Sequence, residues 1–192
     1  MTDPLLFSLA VLAVLSVPGP TNTLLMTSGA TVGVRRSVVL LLAEASGYIL
    51  GILIVSPLAA ALPAGRALLG GAVGLYLLTV AARLWRHSPR SLERPVTWRS
   101  VFVTTLLNPK VLVFALLVVP MTAPHPERYL AAFCAIVMPV GASWIAFGAF
   151  AGRLAGGRRL SLVPRLAAVV MVGLAFLLIG NSMSLYLHSG LL

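Results

Sequence analysis

Between Asp3 and Arg35 the chain carries no charged residue, and from Ser37 to Gly65 it carries one, Glu44. Runs of this kind constrain folding more than any motif does. A helix of ~20 apolar residues crosses a ~30 Å hydrocarbon core, and a charge-free stretch of that length has few other homes. The pattern recurs along the chain and predicts six spans: about Pro4–Ala30, Ser37–Leu62, Ala67–Leu84, Ser100–Met121, Arg128–Ala151 and Leu166–His188. Composition agrees. Charged residues make up 9% of the chain, against roughly a quarter in soluble domains, too few to cover a water-facing surface. Six spans with short loops occupy the 192 residues as one transmembrane domain. The expected class is an all-α membrane protein.

The net charge of +10 could suggest nucleic acid, but the arginines sit in short clusters between apolar runs. Cytoplasmic loops of membrane proteins carry them that way, and anionic lipid headgroups suit them. No nucleic-acid partner is expected. The loops after the first, third and fifth segments hold Arg35 and Arg36, then Arg83, Arg86, Arg90, Arg94 and Arg99, then Arg153, Arg158, Arg159 and Arg165. The other two loops hold only Arg66 and Arg128. Eleven against two places the first set in the cytoplasm,. Both termini are then extracytoplasmic, and the linker of about 85–99 is a mobile cytoplasmic loop. With Asp3 as its only early charge, the first segment reads as a retained helix, since a signal peptide needs a basic start.

Two segments are interrupted. Pro18-Gly19-Pro20-Thr21-Asn22 breaks the first and Asn108-Pro109-Lys110 the fourth. Proline removes a backbone donor and strands a carbonyl. Inside a membrane, such backbone persists only where protein buries it or a wet cavity meets it. The breaks open corresponding triplets of helices, about 1–84 and 100–192. Three is odd, so two such halves must be inverted relative to one another, a recurring plan for secondary transporters. The alternative for the first break is a packing kink re-satisfied by nearby Ser and Thr.

Lys110 lies about ten residues into its segment, ~15 Å along a helix. A charge at that depth costs ~3 kcal/mol or more without a partner; snorkelling to the cytoplasmic interface is the bland alternative. Glu44 is the one acid inside a predicted span. Gly47 and Gly51 follow on the same helical face and admit a close neighbour, so Glu44 faces the bundle interior. It is a candidate proton carrier, a counter-charge to Lys110 or to a cationic substrate, or a static packing element. Gly70-xxx-Gly74 and Gly148-xxx-Gly152 read as helix-packing positions, and exposed glycine faces permit a homodimer. Trp144, with Pro139 and Ser143, is a candidate cavity lining; Asn181 and Ser182 are candidates for bonds across helices.

Enzyme chemistry finds no support. His87, His125 and His188 lie at or beyond segment ends, and no nucleophile–base or metal-ligand pattern falls within a span. No cofactor and no metal are expected. The single cysteine, Cys134, cannot form an intrachain pair, which also argues against transmembrane thiol electron transfer.

The stretch Ser16-Val17-Pro18-Gly19-Pro20-Thr21-Asn22-Thr23-Leu24-Leu25, continued by Ser28 through Arg36, resembles the opening of the lysine-exporter (LysE/RhtB-type) amino-acid efflux family. So does Leu106-Leu107-Asn108-Pro109-Lys110. Gly71 through Leu78 looks like that family's glycine-rich third helix, and Pro139 through Trp144 to Gly148 is similar to one of its branches. The resemblance covers the whole chain. It implies six helices in two inverted halves and export of amino acids or related metabolites driven by the proton gradient, in a prokaryotic plasma membrane. It carries over at Pro18, Gly19, Pro20, Asn108, Pro109 and Lys110. Two departures stand out. The family usually has Asn or Asp directly after Pro-Gly-Pro, where this chain has Thr21 and then Asn22. Position 44 is more often small or apolar.

The expected function is therefore a secondary-active exporter working by alternating access. Its substrate site would be built from Pro18, Gly19, Pro20, Thr21, Asn22, Asn108, Pro109, Lys110 and Trp144, with Glu44 and Lys110 as proton-coupling or counter-charge groups. The alternative is a non-transporting membrane scaffold or sensor subunit that binds a partner through the basic loops.

Overall fold

A computed structural model describes residues 3–61 and 95–155, together with positions 71, 74–75, 78–79, 82, 169, 172–173, 176, 179–180 and 183–184. Among these residues all regular structure is helical. The third and sixth predicted segments are described only at the scattered positions, all helical. Positions 85–94 of the linker, Gly70, Asn181, Ser182 and most arginines of the orientation count lie outside the described residues.

Helix α1 spans Pro4–Ser16. Asp3 starts it by accepting from the backbone N–H groups of Leu5 and Leu6 at 2.8 and 2.9 Å, and Pro4 occupies the first turn, where a missing donor costs nothing. Phe7, Val11 and Leu15, spaced four apart, form its buried stripe. Leu5, Leu6, Leu9 and Leu12 face outward, Leu5 with 68% of its surface exposed. An outward leucine face suits lipid and not water.

After Ser16 the chain bends by 64° and resumes as α2, Pro20–Val32. Pro18 and Pro20 cannot donate to the carbonyls a turn upstream, so the ladder must stop here. Gly33 ends α2 at φ 81°, a backbone angle that favours glycine. A single turn, α3 (Val34–Ser37), leads into α4, Leu40–Ala61. Together they supply an apolar stretch of 25 residues, Val34–Leu58, with mean hydropathy 2.3.

Helix α5, Trp98–Leu106, begins with a reciprocal cap between Thr97 and Ser100,. It breaks at Leu107-Asn108, bends by 45° and continues as α6, Pro109–Val113, which widens into a π-helical turn at Phe114–Val118. The wide turn frees backbone groups for other partners, and Ser56 of α4 donates to the Ala115 carbonyl at 3.2 Å. Helix α7, Pro126–Ala155, holds the second apolar stretch, Pro126–Arg153, of 28 residues. Among the described residues two helices are thus long and apolar enough to cross a membrane, or up to four spans if each bent pair counts as one. These correspond to the first, second, fourth and fifth predicted segments.

Two close packings organise these elements. α2 makes its most extensive contact with α7, and α5 with α4. The first broken segment therefore leans on α7 and the second on α4. Glycine permits both. A Cβ on Gly148 would run into the Met26 carbonyl, and one on Gly29 into the Ile145 carbonyl, so α2 and α7 touch backbone to backbone. Gly47 admits α5 at Phe102 and Thr105, and Gly51 admits α6 at Val111. Above Glu44, Tyr48 packs edge-on against Phe114 and Phe133, at ring separations of 5.5 and 5.7 Å.

Candidate functional site

The bends in α1–α2 and α5–α6 lie against each other, and a chain of hydrogen bonds joins them. At the first break the carbonyls of Leu15 and Val17 leave the helical ladder. Asn22, in the first turn of α2, reaches back and donates Nδ2–H to both, at 3.0 and 2.8 Å. Lys110, in the first turn of α6, donates Nζ–H to the same two oxygens, with the Leu15 contact at 3.3 Å and the Val17 contact shorter still. Each carbonyl thus receives two donors, the full capacity of its lone pairs.

At the second break Asn108 caps α6, accepting from Lys110 N–H at 3.0 Å through Oδ1. That leaves its amide nitrogen free to turn outward, and it donates to Thr21 Oγ1 at 3.0 Å. Thr21 and Thr105 hydroxyls are 3.1 Å apart, and Thr105 donates its one hydroxyl proton to Val101 O at 2.8 Å. Thr105 therefore accepts from Thr21, and the run Asn108–Thr21–Thr105–Val101 has one direction. Thr23 adds a bond from its hydroxyl to Gly19 O at 2.9 Å.

All of this is dry. Lys110 is 1% exposed, Asn22 and Asn108 2%, and Thr105 0%. Among the nine largest fully buried side chains of the described residues, Lys110 is the one that bears a charge. Buried backbone without partners is intolerable in an apolar setting; here Asn22 of the same break and Lys110 of the opposite one supply those partners.

Glu44 is equally buried, at 1%. Its Oε2 has no hydrogen-bond partner, and neither has the Tyr48 hydroxyl one turn on. The carboxyl abuts α7 at Gly141, where a Cβ would strike Oε2. Glu44 and Lys110 form no direct ion pair; among the described residues the only close contact between a basic and an acidic side chain is His125–Glu127, on the surface. The lysine finds backbone carbonyls instead, because the break between α1 and α2 presents two acceptors that have left the helical ladder.

Of the residues singled out in the sequence, Thr21, Asn22, Asn108 and Lys110 converge in one network, while Pro18, Gly19, Pro20 and Pro109 create the carbonyls and the cap it uses. Glu44 lies beside it. Trp144 does not join it. That ring lines an open groove of about 520 Å³ between α1 and α7, shared with Pro139, Ser143 and Leu12. The groove reaches Ser16, the last residue before the first break. Sequence reasoning missed Thr105, Tyr48 and the carbonyls of Leu15 and Val17. A hydroxyl one turn before Asn-Pro was the available signal for Thr105; the prolines announced stranded carbonyls, but not that those of Leu15 and Val17 would meet Lys110.

A buried polar junction between two discontinuous helices, enclosed by apolar helices that face lipid, is the build of a membrane translocator. The chain belongs to the LysE type translocator family, whose model matches residues 12–183 and so takes in both breaks, Glu44 and Trp144. Membership points to membrane export of amino acids or other small molecules, and the family's members are transporters, not enzymes. No curated protein and no solved structure matches the chain.

Proposed function

We propose that this protein is a secondary-active exporter of amino acids or related small metabolites, driven by the proton-motive force and working by alternating access. The observation that carries the reading is the hold of Lys110 on the carbonyls of Leu15 and Val17. A scaffold gains nothing from burying a lysine on unwound backbone. A carrier of zwitterions needs such a place, where cationic and anionic ends can be held without water. The polar groups freed at Pro18-Gly19-Pro20 and Asn108-Pro109 are suited to the ammonium and carboxylate of an amino acid. Two three-helix halves, about 1–84 and 100–192 and inverted with respect to each other, would rock about this junction. Glu44, buried with an oxygen unpartnered, is the candidate for the coupling proton.

The location in this reading is a prokaryotic plasma membrane, as the family resemblance implies, with both termini extracytoplasmic, as the arginine bias favours. Its partners are the substrate and membrane lipid, with a homodimer permitted. The test is uptake of labelled amino acids into inverted membrane vesicles, with and without an imposed proton gradient. Gradient-dependent accumulation of at least one amino acid is the expected result. Vesicles that accumulate none of a full panel, at verified expression, overturn it in favour of a scaffold or sensor.

A further inference from the structure

Two carbonyl oxygens from one helix break, both turned towards one amine nitrogen, make a seat for an alkylammonium group. In this conformation the seat is filled by the chain itself. Lys110 reaches it from a helix 95 residues away in sequence, and Asn22 fixes the oxygens from the other side. An amino acid brings to the same place an ammonium group with the same donors as a lysine terminus. The two cannot sit there together, because Asn22 and one amine already saturate both oxygens.

We propose that the Leu15 and Val17 carbonyls are the ammonium subsite of the carrier, that Lys110 is its tethered occupant when no substrate is bound, and that a substrate enters by displacing it. The exchange balances charge. The substrate's ammonium takes the carbonyls, and the displaced Lys110 takes the substrate's carboxylate. A ligand with an ammonium group alone leaves Lys110 stranded in an apolar setting without a partner, so it does not displace it. The subsite rests on the exporter reading for the identity of its ligand but not for its existence.

Removing the tether tests it. Lys110→Ala lacks the outer part of the side chain, which n-propylammonium replaces. Thermal unfolding of purified protein in detergent, followed by tryptophan fluorescence, reads binding without transport. Lys110→Ala is expected to unfold at lower temperature than the unsubstituted protein. Excess n-propylammonium should raise it by on the order of 5 °C. Tetramethylammonium, which has no N–H, should leave it unchanged, and neither cation should shift the unsubstituted protein. Lys110→Met, which keeps the packing volume, should leave too little room and respond less than Lys110→Ala.

Equal response of Lys110→Ala to both cations, or no response, overturns the subsite. So does failure of both variants to yield folded protein with or without n-propylammonium, since a displaceable occupant must be dispensable to the fold. The outcomes separate the two readings. Amino-acid transport without n-propylammonium rescue removes the subsite and leaves the exporter; rescue without transport does the reverse.

Discussion

Asn108 donates its side-chain amide to the hydroxyl of Thr21 at 3.0 Å, tying the cap of α6 to the first turn of α2 across 87 residues of sequence. Both residues are buried, so the bond is made without competition from water. It is also where this chain departs from the family pattern of Asn or Asp directly after Pro-Gly-Pro. A hydroxyl can accept from Asn108 and donate to Thr105 at once; a carboxylate could only accept.

Thr21→Val keeps the shape and removes the hydroxyl. It leaves the Asn108 amide without its acceptor and the Thr105 oxygen without its incoming donor, both in a buried setting. The expected loss is ~1–3 kcal/mol of stability, read as a lower unfolding temperature in detergent. Thr21→Ser should recover most of it. Equal stability of the valine variant and the unsubstituted protein would show that the two breaks are not held by this bond.

Lys110→Ala should reach the membrane at normal level and lose export. The remaining fold does not depend on the lysine for its core, because Asn22 still holds both carbonyls. A drop of more than about tenfold in vesicle uptake, equivalent to ~1.4 kcal/mol in the rate-limiting step, is expected at matched expression. Near-normal uptake would remove Lys110 from the transport site.

Glu44→Gln replaces a titrating oxygen by an amide of the same size. If Glu44 carries the coupling proton, the variant exchanges substrate across the vesicle membrane but no longer accumulates it against a gradient. The measurement is the ratio of uptake with and without an imposed pH difference, expected to fall to about one in this proposal. A ratio unchanged from the parent protein would make Glu44 a packing element between α4 and α7.

Gly148→Val should fail for a steric reason. Its Cβ has no space beside the Met26 carbonyl, and a backbone atom cannot rotate away as a side chain can. Overpacking of this kind costs ~1–3 kcal/mol or more, so little folded protein should survive solubilisation, as judged by size-exclusion chromatography. Normal recovery would mean that α2 and α7 are not in backbone contact.

The sequence by itself determined the local and periodic features. Lipid-crossing helices follow from charge-free runs of sufficient length, and their interruptions follow from prolines, which remove donors wherever they stand. The buried position of Glu44 was also legible, because Gly47 and Gly51 mark its face as the one another helix approaches. Lys110 could be recognised as deep and in need of partners. Which partners it has was decided only by the tertiary structure. The carbonyls of Leu15 and Val17 carry no side-chain signature, and their meeting with Lys110 depends on two bends of 64° and 45° set face to face by packing elsewhere. Trp144 shows the same division in reverse. Its place in the middle of a helix suggested the central site, but the ring lies at the edge of the face on which Gly141 and Gly148 meet α4 and α2, and turns from there towards α1 and the outer groove. Periodicity tells which residues share a face; only the assembled bundle tells what that face meets.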